Sequence, residues 1–189
     1  MMSGNIRPVV DIALIHHPVL GRNKEVIGSA ITNLDLHDIA RTARTYGVGN
    51  YYIVTPYDDQ QKLVAEIISH WQEGHGATYN PARKEAFNLV KLAHSLEDVI
   101  NDIKENQKRR PVLVTTSAVA QESSLAFSES RRRIESGEPT LLLFGTAHGL
   151  APELTENADY TLPAIVGPSD YNHLSVRAAA AIICDRLLG

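Results

Sequence analysis

"LLLFGTAHGLAPE" (residues 141–153) decides how this chain is read. Three leucines and a phenylalanine run into Gly145, and Thr-Ala-His-Gly-Leu-Ala-Pro follows with almost no charge. A short continuous apolar run closed by glycine is the pattern of a strand buried on both faces. The pattern recurs in "PVVDIALIHH" (8–17), "NYYIVTP" (50–56), "EAFNLVKLA" (85–93), "RPVLVTTSA" (110–118) and "YTLPAIV" (160–166). Helical periodicity fills the gaps. Residues 33–47 place Leu36, Ile39, Ala40, Ala43 and Tyr46 at three-and-four spacing before Gly47. Residues 58–76 open on two aspartates and carry Leu63, Val64, Ile67, Ile68 and Trp71. Residues 95–107 begin with Ser95, Glu97 and Asp98, a favourable helix start. Residues 123–137 and 171–189 complete the set, and "GHGATYNPARK" (74–84) reads as the flexible loop. Strands alternating with helices imply an α/β fold, a mostly parallel sheet with helices on both faces.

Bulk composition narrows the class. A length of 189 residues suits a single domain, 1–189, with 43% hydrophobic and 21% charged residues and no low-complexity tract. No apolar run approaches the roughly 18 residues of a membrane span. The opening apolar stretch is interrupted by Asp11 and precedes no small-residue cleavage site, so it is expected to be a first strand and not a signal peptide. The lone cysteine, Cys184, excludes an internal disulfide framework; it reads as a core thiol in a reducing cytoplasm. A formal charge of −4 advertises no polyanion partner over the whole molecule. Two basic clusters, "ENQKRRP" (105–111) and "ESRRRIES" (129–136), fit either solvated helix ends or phosphate contacts.

In open parallel sheets ligands bind at the carboxyl ends of the strands. Three loops expected there are rich in small residues: "TTSA" (115–118), "GTAHGL" (145–150) and "LPAIVGPSDYNHLS" (162–175). Small residues let backbone amides and carbonyls reach a ligand, which suits an adenosine-like group better than a bare phosphate. The sequence has no GxxxxGK[ST] cradle, no GxGxxG after the first strand, and no CxxC, HExxH or GxSxG. The eight histidines are scattered, and neither His16-His17 nor His70/His75 comes with a third ligand, so no metal site is expected.

Three stretches together resemble the SPOUT superfamily of SpoU-like, trefoil-knotted RNA methyltransferases, nearest to a small bacterial subgroup of it. "NLDLHDIARTARTYGVGNYYIVTP" looks like the first motif, "LLLFGTAHGL" the second, and "YTLPAIVGPSDYNHLSVRAAAAIICDRL" the third, in the expected order over nearly the whole chain. The resemblance implies a deep C-terminal trefoil knot, a fold feature that composition never suggests. It also implies an S-adenosylmethionine (SAM) cofactor with S-adenosylhomocysteine as product, a homodimer with sites near the subunit interface, and methyl transfer to a tRNA or rRNA nucleotide. By the same resemblance Thr115, Thr116, Ser117, Phe144, Gly145, Thr146, Gly149, Leu162, Ile165, Gly167, Leu174 and Ser175 bind the cofactor. Arg41, Asn172 and Ser175 are the catalytic candidates, Arg41 by engaging RNA phosphate. His148, Arg177 and Arg131 to Arg133 stand as either surface charge or RNA contacts. Asn172 and Ser175 also read as ordinary helix caps.

The chain departs from the family pattern in one place. Asn-x-Gly, expected six and four residues before the arginine, is Asp35-Leu36-His37 here, so ribose specificity and even activity are open. A hydroxyl acceptor needs its proton drawn off, whereas a ring nitrogen prefers a nearby carboxylate, for which Asp170 is available. Two further readings compete with the enzyme: a knotted module that binds SAM or RNA without catalysis, and an ordinary doubly wound nucleotide-binding enzyme.

Overall fold

The computed structural model describes residues 10–121 and 123–189. Pro8 and Val9, the expected beginning of the first strand, lie outside the described residues, as does the start of the chain examined for a signal peptide. Six strands form one sheet: β1 (Val10–Ile15), β4 (Tyr51–Val54), β5 (Val90–Ala93), β6 (Val112–Thr115), β7 (Thr140–Gly145) and β8 (Tyr160–Thr161). Their order is β5-β4-β1-β7-β6-β8, and every pairing is parallel. A two-stranded antiparallel hairpin, β2 (Val19–Leu20) with β3 (Val26–Ile27), stands apart.

The helices are α1 (Asn33–Thr45), α2 (Asp58–Gln72), α3 (His75–Tyr79), α4 (Pro81–Phe87), α5 (Leu96–Gln107), α6 (Phe127–Glu135), α7 (Pro152–Glu156) and α8 (Val176–Leu188). Alternation along β1 splits the core in two. Val10, Ile12 and Leu14 join one cluster with residues of α1, α2, α4, α6 and α8. Ala13 and Ile15 join the other, with Val99 and Ile103 of α5. Both faces of the sheet are therefore covered, which is why β1 and β7 are apolar at nearly every position. Cys184 sits in this core, and burial pushes its thiol up to about 12.

The structure corrects the sequence reading in several places, and the final helix begins at Val176, not at residue 171, so that Ser175 caps it and Asn172 does not. Residues 74–84 are not a loop: Asn80 caps α4, accepting from the Arg83 amide, and Pro81 occupies the first helical turn where its missing N–H is harmless. Residues 85–87 end α4, so only Val90–Ala93 is strand. The last strand shrinks to Tyr160–Thr161, because Pro163 offers no N–H and the chain leaves the sheet after the Leu162 amide donates to the Thr115 carbonyl. The sequence reading missed the β2–β3 hairpin and α7, each too short to show a period.

Candidate active site at the carboxyl ends of the strands

Four loops gather where β1, β6, β7 and β8 end. The turn after β7 folds back on its own strand: the Gly149 amide donates to the Thr146 carbonyl. A Cβ on Gly145 would stand 2.7 Å from the Leu150 nitrogen and 2.9 Å from the Gly149 carbonyl carbon. Gly149 itself has φ +108 and open space beside its Cα. The β2 strand lies alongside this turn, with the Leu20 amide donating to Gly149 and the His148 amide to Leu20. The turn is thus built before any ligand arrives.

A chain of side-chain hydrogen bonds ties it to the end of β1. The Thr146 hydroxyl donates to the Ile15 carbonyl at 3.0 Å and also meets the Ser29 hydroxyl, which in turn lies 3.1 Å from Nδ1 of His16. The Ser29 hydroxyl also lies 3.5 Å from the His16 carbonyl, and His16 Nε2 is buried with no hydrogen-bond partner among the described residues. Burial lowers the His16 pKa to about 4, against the opposite pull of the Asp35 carboxylate and the Ser29 and Ala30 backbone.

The loops after β6 and β8 meet through few contacts. Thr115 is buried, its hydroxyl 2.7 Å from that of Thr161, and Thr116 donates both its amide and its hydroxyl to Leu143. Ser117 caps its own turn by accepting from the Val119 amide. Asn172 Nδ2 donates to the Ala118 carbonyl at 2.8 Å, laying the 162–175 segment against the β6 loop. Leu162 is buried, Ile165 packs on the core's edge, and Gly167 touches nothing within 4 Å of its Cβ direction. Val166, Tyr171 and Leu174 of this segment are 71%, 74% and 45% exposed. Phe144 points the other way, into the core.

Arg41 and Ser175, far apart in sequence, wall one groove. It measures about 470 Å³ and runs between α1 and α8, with Thr42, Thr45, Tyr46 and Arg177 also lining it. Ser175 caps α8, its hydroxyl accepting from the Ala178 amide. Among the described residues no carboxylate pairs with Arg41. Arg177 is engaged: Nη1 lies 3.3 Å from Asp35 and Nε 3.4 Å from Asp38, joining the starts of α1 and α8. Asp35 is also held by Thr32, the cap of α1. Where the family pattern has asparagine, this carboxylate therefore fastens two helices. Arg131, Arg132 and Arg133 pair with Glu135 and Glu129 on their own helix, and His148 and Asp170 are exposed on their loops.

His16, Asp35 and the Arg177 pairing were not read from the sequence. His16 had a signal, since it continues the Ile12, Leu14 alternation onto the core-facing side of β1. No local pattern marks Arg177 as the partner of a residue on α1.

A Gly-rich turn at the carboxyl edge of a parallel sheet is where open α/β folds commonly hold their ligands. The comparisons refine that class. The chain belongs to the SAM-dependent RNA methyltransferase family, whose model matches residues 9–189. It is 46% identical over 177 residues to a tRNA (guanine-N(1)-)-methyltransferase of Oleidesulfovibrio alaskensis, covering 94% of this chain and 41% of that protein. An uncharacterized protein of Aquifex aeolicus is 44% identical over 179 residues, covering 94% of this chain and 87% of that one. In fold the chain is similar to the SpoU methyltransferase AviRb from Streptomyces viridochromogenes, solved with AdoMet (TM-score 0.61, 16% identity, 96% of this chain and 57% of that one). The chain spans about two fifths of the length of the Oleidesulfovibrio relative. No helix among the described residues is long and apolar enough to cross a membrane.

Proposed function

We propose that this chain, as one domain, transfers a methyl group from SAM to a nucleotide of tRNA or rRNA in the cytoplasm. The observation that carries the reading is the shared groove of Arg41 and Ser175, residues from opposite ends of the chain, at the start of α8.

The residues present fit the cofactor. The open space beside the Gly149 Cα leaves main chain exposed to a flat ligand, while Gly145 lets Leu150 pack close behind it. On this reading Thr115, Thr116 and Ser117 would line one side of the cofactor, and Leu162, Ile165, Gly167 and Leu174 the other. Thr146 contributes its backbone, since its hydroxyl is already engaged by β1. Phe144 backs the wall from the core side. Asn172, bonded to Ala118, supports a threaded course for the 162–175 segment, as the trefoil knot requires. The exposed Val166, Tyr171 and Leu174 support a second copy of the chain closing over this segment, with the active site near the subunit interface.

When bound, SAM supplies an electrophilic sulfonium methyl group, so much of the acceleration comes from aligning the acceptor. Arg41 is the group in the groove free to hold an RNA phosphate, because Arg177 is occupied by two carboxylates. Ser175 orients the acceptor from the helix start, where phosphate is also favoured. The activity named for the Oleidesulfovibrio protein belongs to a chain of which three fifths lies outside the match. We carry over tRNA as the substrate class and leave the methylated atom to experiment.

Arg41→Ala and Ser175→Ala are expected to reduce radioactive methyl transfer to cellular RNA by about 100-fold or more, as expected for loss of positioning, and Arg41→Ala to change SAM affinity by calorimetry less than about threefold. The altered first motif, with His37 in place of glycine, favours one rival: a knotted module that binds SAM or RNA without catalysis. Wild-type protein that binds SAM but labels no RNA establishes the rival. Protein that binds neither SAM nor its demethylated product overturns both.

A further inference from the structure

A second groove, of about 350 Å³, lies on the other flank of α1, between it and α2. Asn33, His37, Glu66, Ile67, His70 and Trp71 line it. Helical spacing puts Asn33 and His37 on the α2 side of α1, and Asp38, Thr42 and Thr45 on the α8 side, with Arg41 on the crest between. The two grooves therefore flank one helix, and Arg41 separates them.

The walls are aromatic and the rim can hydrogen-bond. His37 meets the Trp71 ring edge-on at 5.2 Å and the Phe87 ring at 4.7 Å, and His70 meets Trp71 at 5.1 Å. The Arg83 guanidinium lies 4.6 Å over the Trp71 ring. His37 Nδ1 is buried and has no hydrogen-bond partner among the described residues. Burial, with Arg83 and Arg41 nearby, lowers the His37 pKa and keeps the ring neutral against the pull of Asp38. Glu66 is exposed at the rim and forms no ion pair among the described residues. Packing alone accounts for the Trp71–Phe87 contact, yet it leaves an unpartnered nitrogen and an unpaired carboxylate at one cleft.

We propose that this groove is a nucleobase subsite which takes a non-reacting guanine of single-stranded RNA when the neighbouring phosphate rests on Arg41. A carboxylate only accepts hydrogen bonds, and guanine presents two adjacent N–H donors, N1–H and the N2 amino group, on one edge. Adenine and cytosine present an amino group alone there, and uracil a single imide N–H. Ring-on-ring contact with Trp71 and His37 supplies base affinity, and Arg83 and Arg41 offset the charge of Glu66 against the RNA backbone. The inference rests on the reading of the chain as an RNA methyltransferase only in needing RNA as the ligand.

Trp71 is the single tryptophan of the sequence, so its emission reports on this groove directly. Full-length protein is titrated with four uridine-rich hexaribonucleotides that differ in one central base, with excitation near 295 nm. The guanine oligomer is expected to quench Trp71 saturably and to bind about tenfold more tightly than the adenine, cytosine or all-uridine ones. Glu66→Gln, an exposed and isosteric change, is expected to abolish that preference while leaving SAM affinity intact. No saturable quenching, equal affinity for all four oligomers, or a preference that survives Glu66→Gln overturns the proposal. Methyl transfer is followed on the same samples. Labelling without a guanine preference sinks the subsite and leaves the function standing, whereas a Glu66-dependent preference without labelling does the reverse.

Discussion

Two loops at the same edge of the sheet are built in opposite ways. The turn at 146–150 is cross-linked to β1, to the β2 strand and to itself before any ligand is bound. The segment at 166–174 is exposed throughout, and among the described residues its one side-chain hydrogen bond to another segment runs from Asn172 to Ala118. Under the proposed function, a wall already cross-linked would need little further ordering when the cofactor arrives, whereas an exposed flap that closes over it would lose roughly 1–2 kcal/mol per residue fixed.

The largest test of that contrast is pH. His16 sits under the built turn with a pKa lowered from 6.5 to about 4 by burial. A histidine depressed in the folded state binds its proton more readily when unfolded. Its contribution to stability is therefore fully present above pH 6.5 and is lost as the pH falls towards 4. The loss should approach about 3 kcal/mol, by the 1.36 kcal/mol per pKa unit of linkage. Urea denaturation of wild type and His16→Asn between pH 4 and 7.5 measures it, and a wild-type slope no steeper than the variant's would break the assignment.

A smaller effect sharpens the same line. Gly145→Ala drives a Cβ into the Leu150 nitrogen, so we expect a loss of about 1–3 kcal/mol and a fall in Tm of roughly 2–4 °C for each kcal/mol. Gly167→Ala, in open space, should leave Tm within about 1 °C. Differential scanning calorimetry of the pair decides it, and equal shifts would erase the distinction between the loops. The smallest change in stability is expected for Tyr171→Ala, below about 0.5 kcal/mol because the ring is exposed. Its SAM affinity should nevertheless weaken several-fold if the flap closes over the cofactor. Calorimetric binding that matches wild type would remove the flap from the site.

The sheet was legible because its strands are apolar on both faces, and that pattern survives any connection between them. What escaped was local chemistry in disguise. Gly74, Gly76 and Pro81 look like loop punctuation, yet Gly76 is pressed against Trp71 and Pro81 starts a helix. Six strands and their parallel sense follow from alternation of elements, but the order that inserts β7 beside β1 does not. At the site, Arg41 and Ser175 were recognisable from family likeness, and the groove uniting them was not. The Asp35–Arg177 pair stayed hidden because its members are neighbours only after α8 has packed on α1.

The pairing of β1 with β7 has a further consequence, for synthesis. Val10 lies opposite Thr140, so β1 finds its second neighbour only after about 130 further residues (140 − 10) have been made. Until then one edge of the central strand carries unmatched N–H and C=O groups, an open invitation to other nascent chains. High contact order slows such folding. The centre of the sheet therefore stays open until β7 is made, and only the short edge strand β8 joins after it.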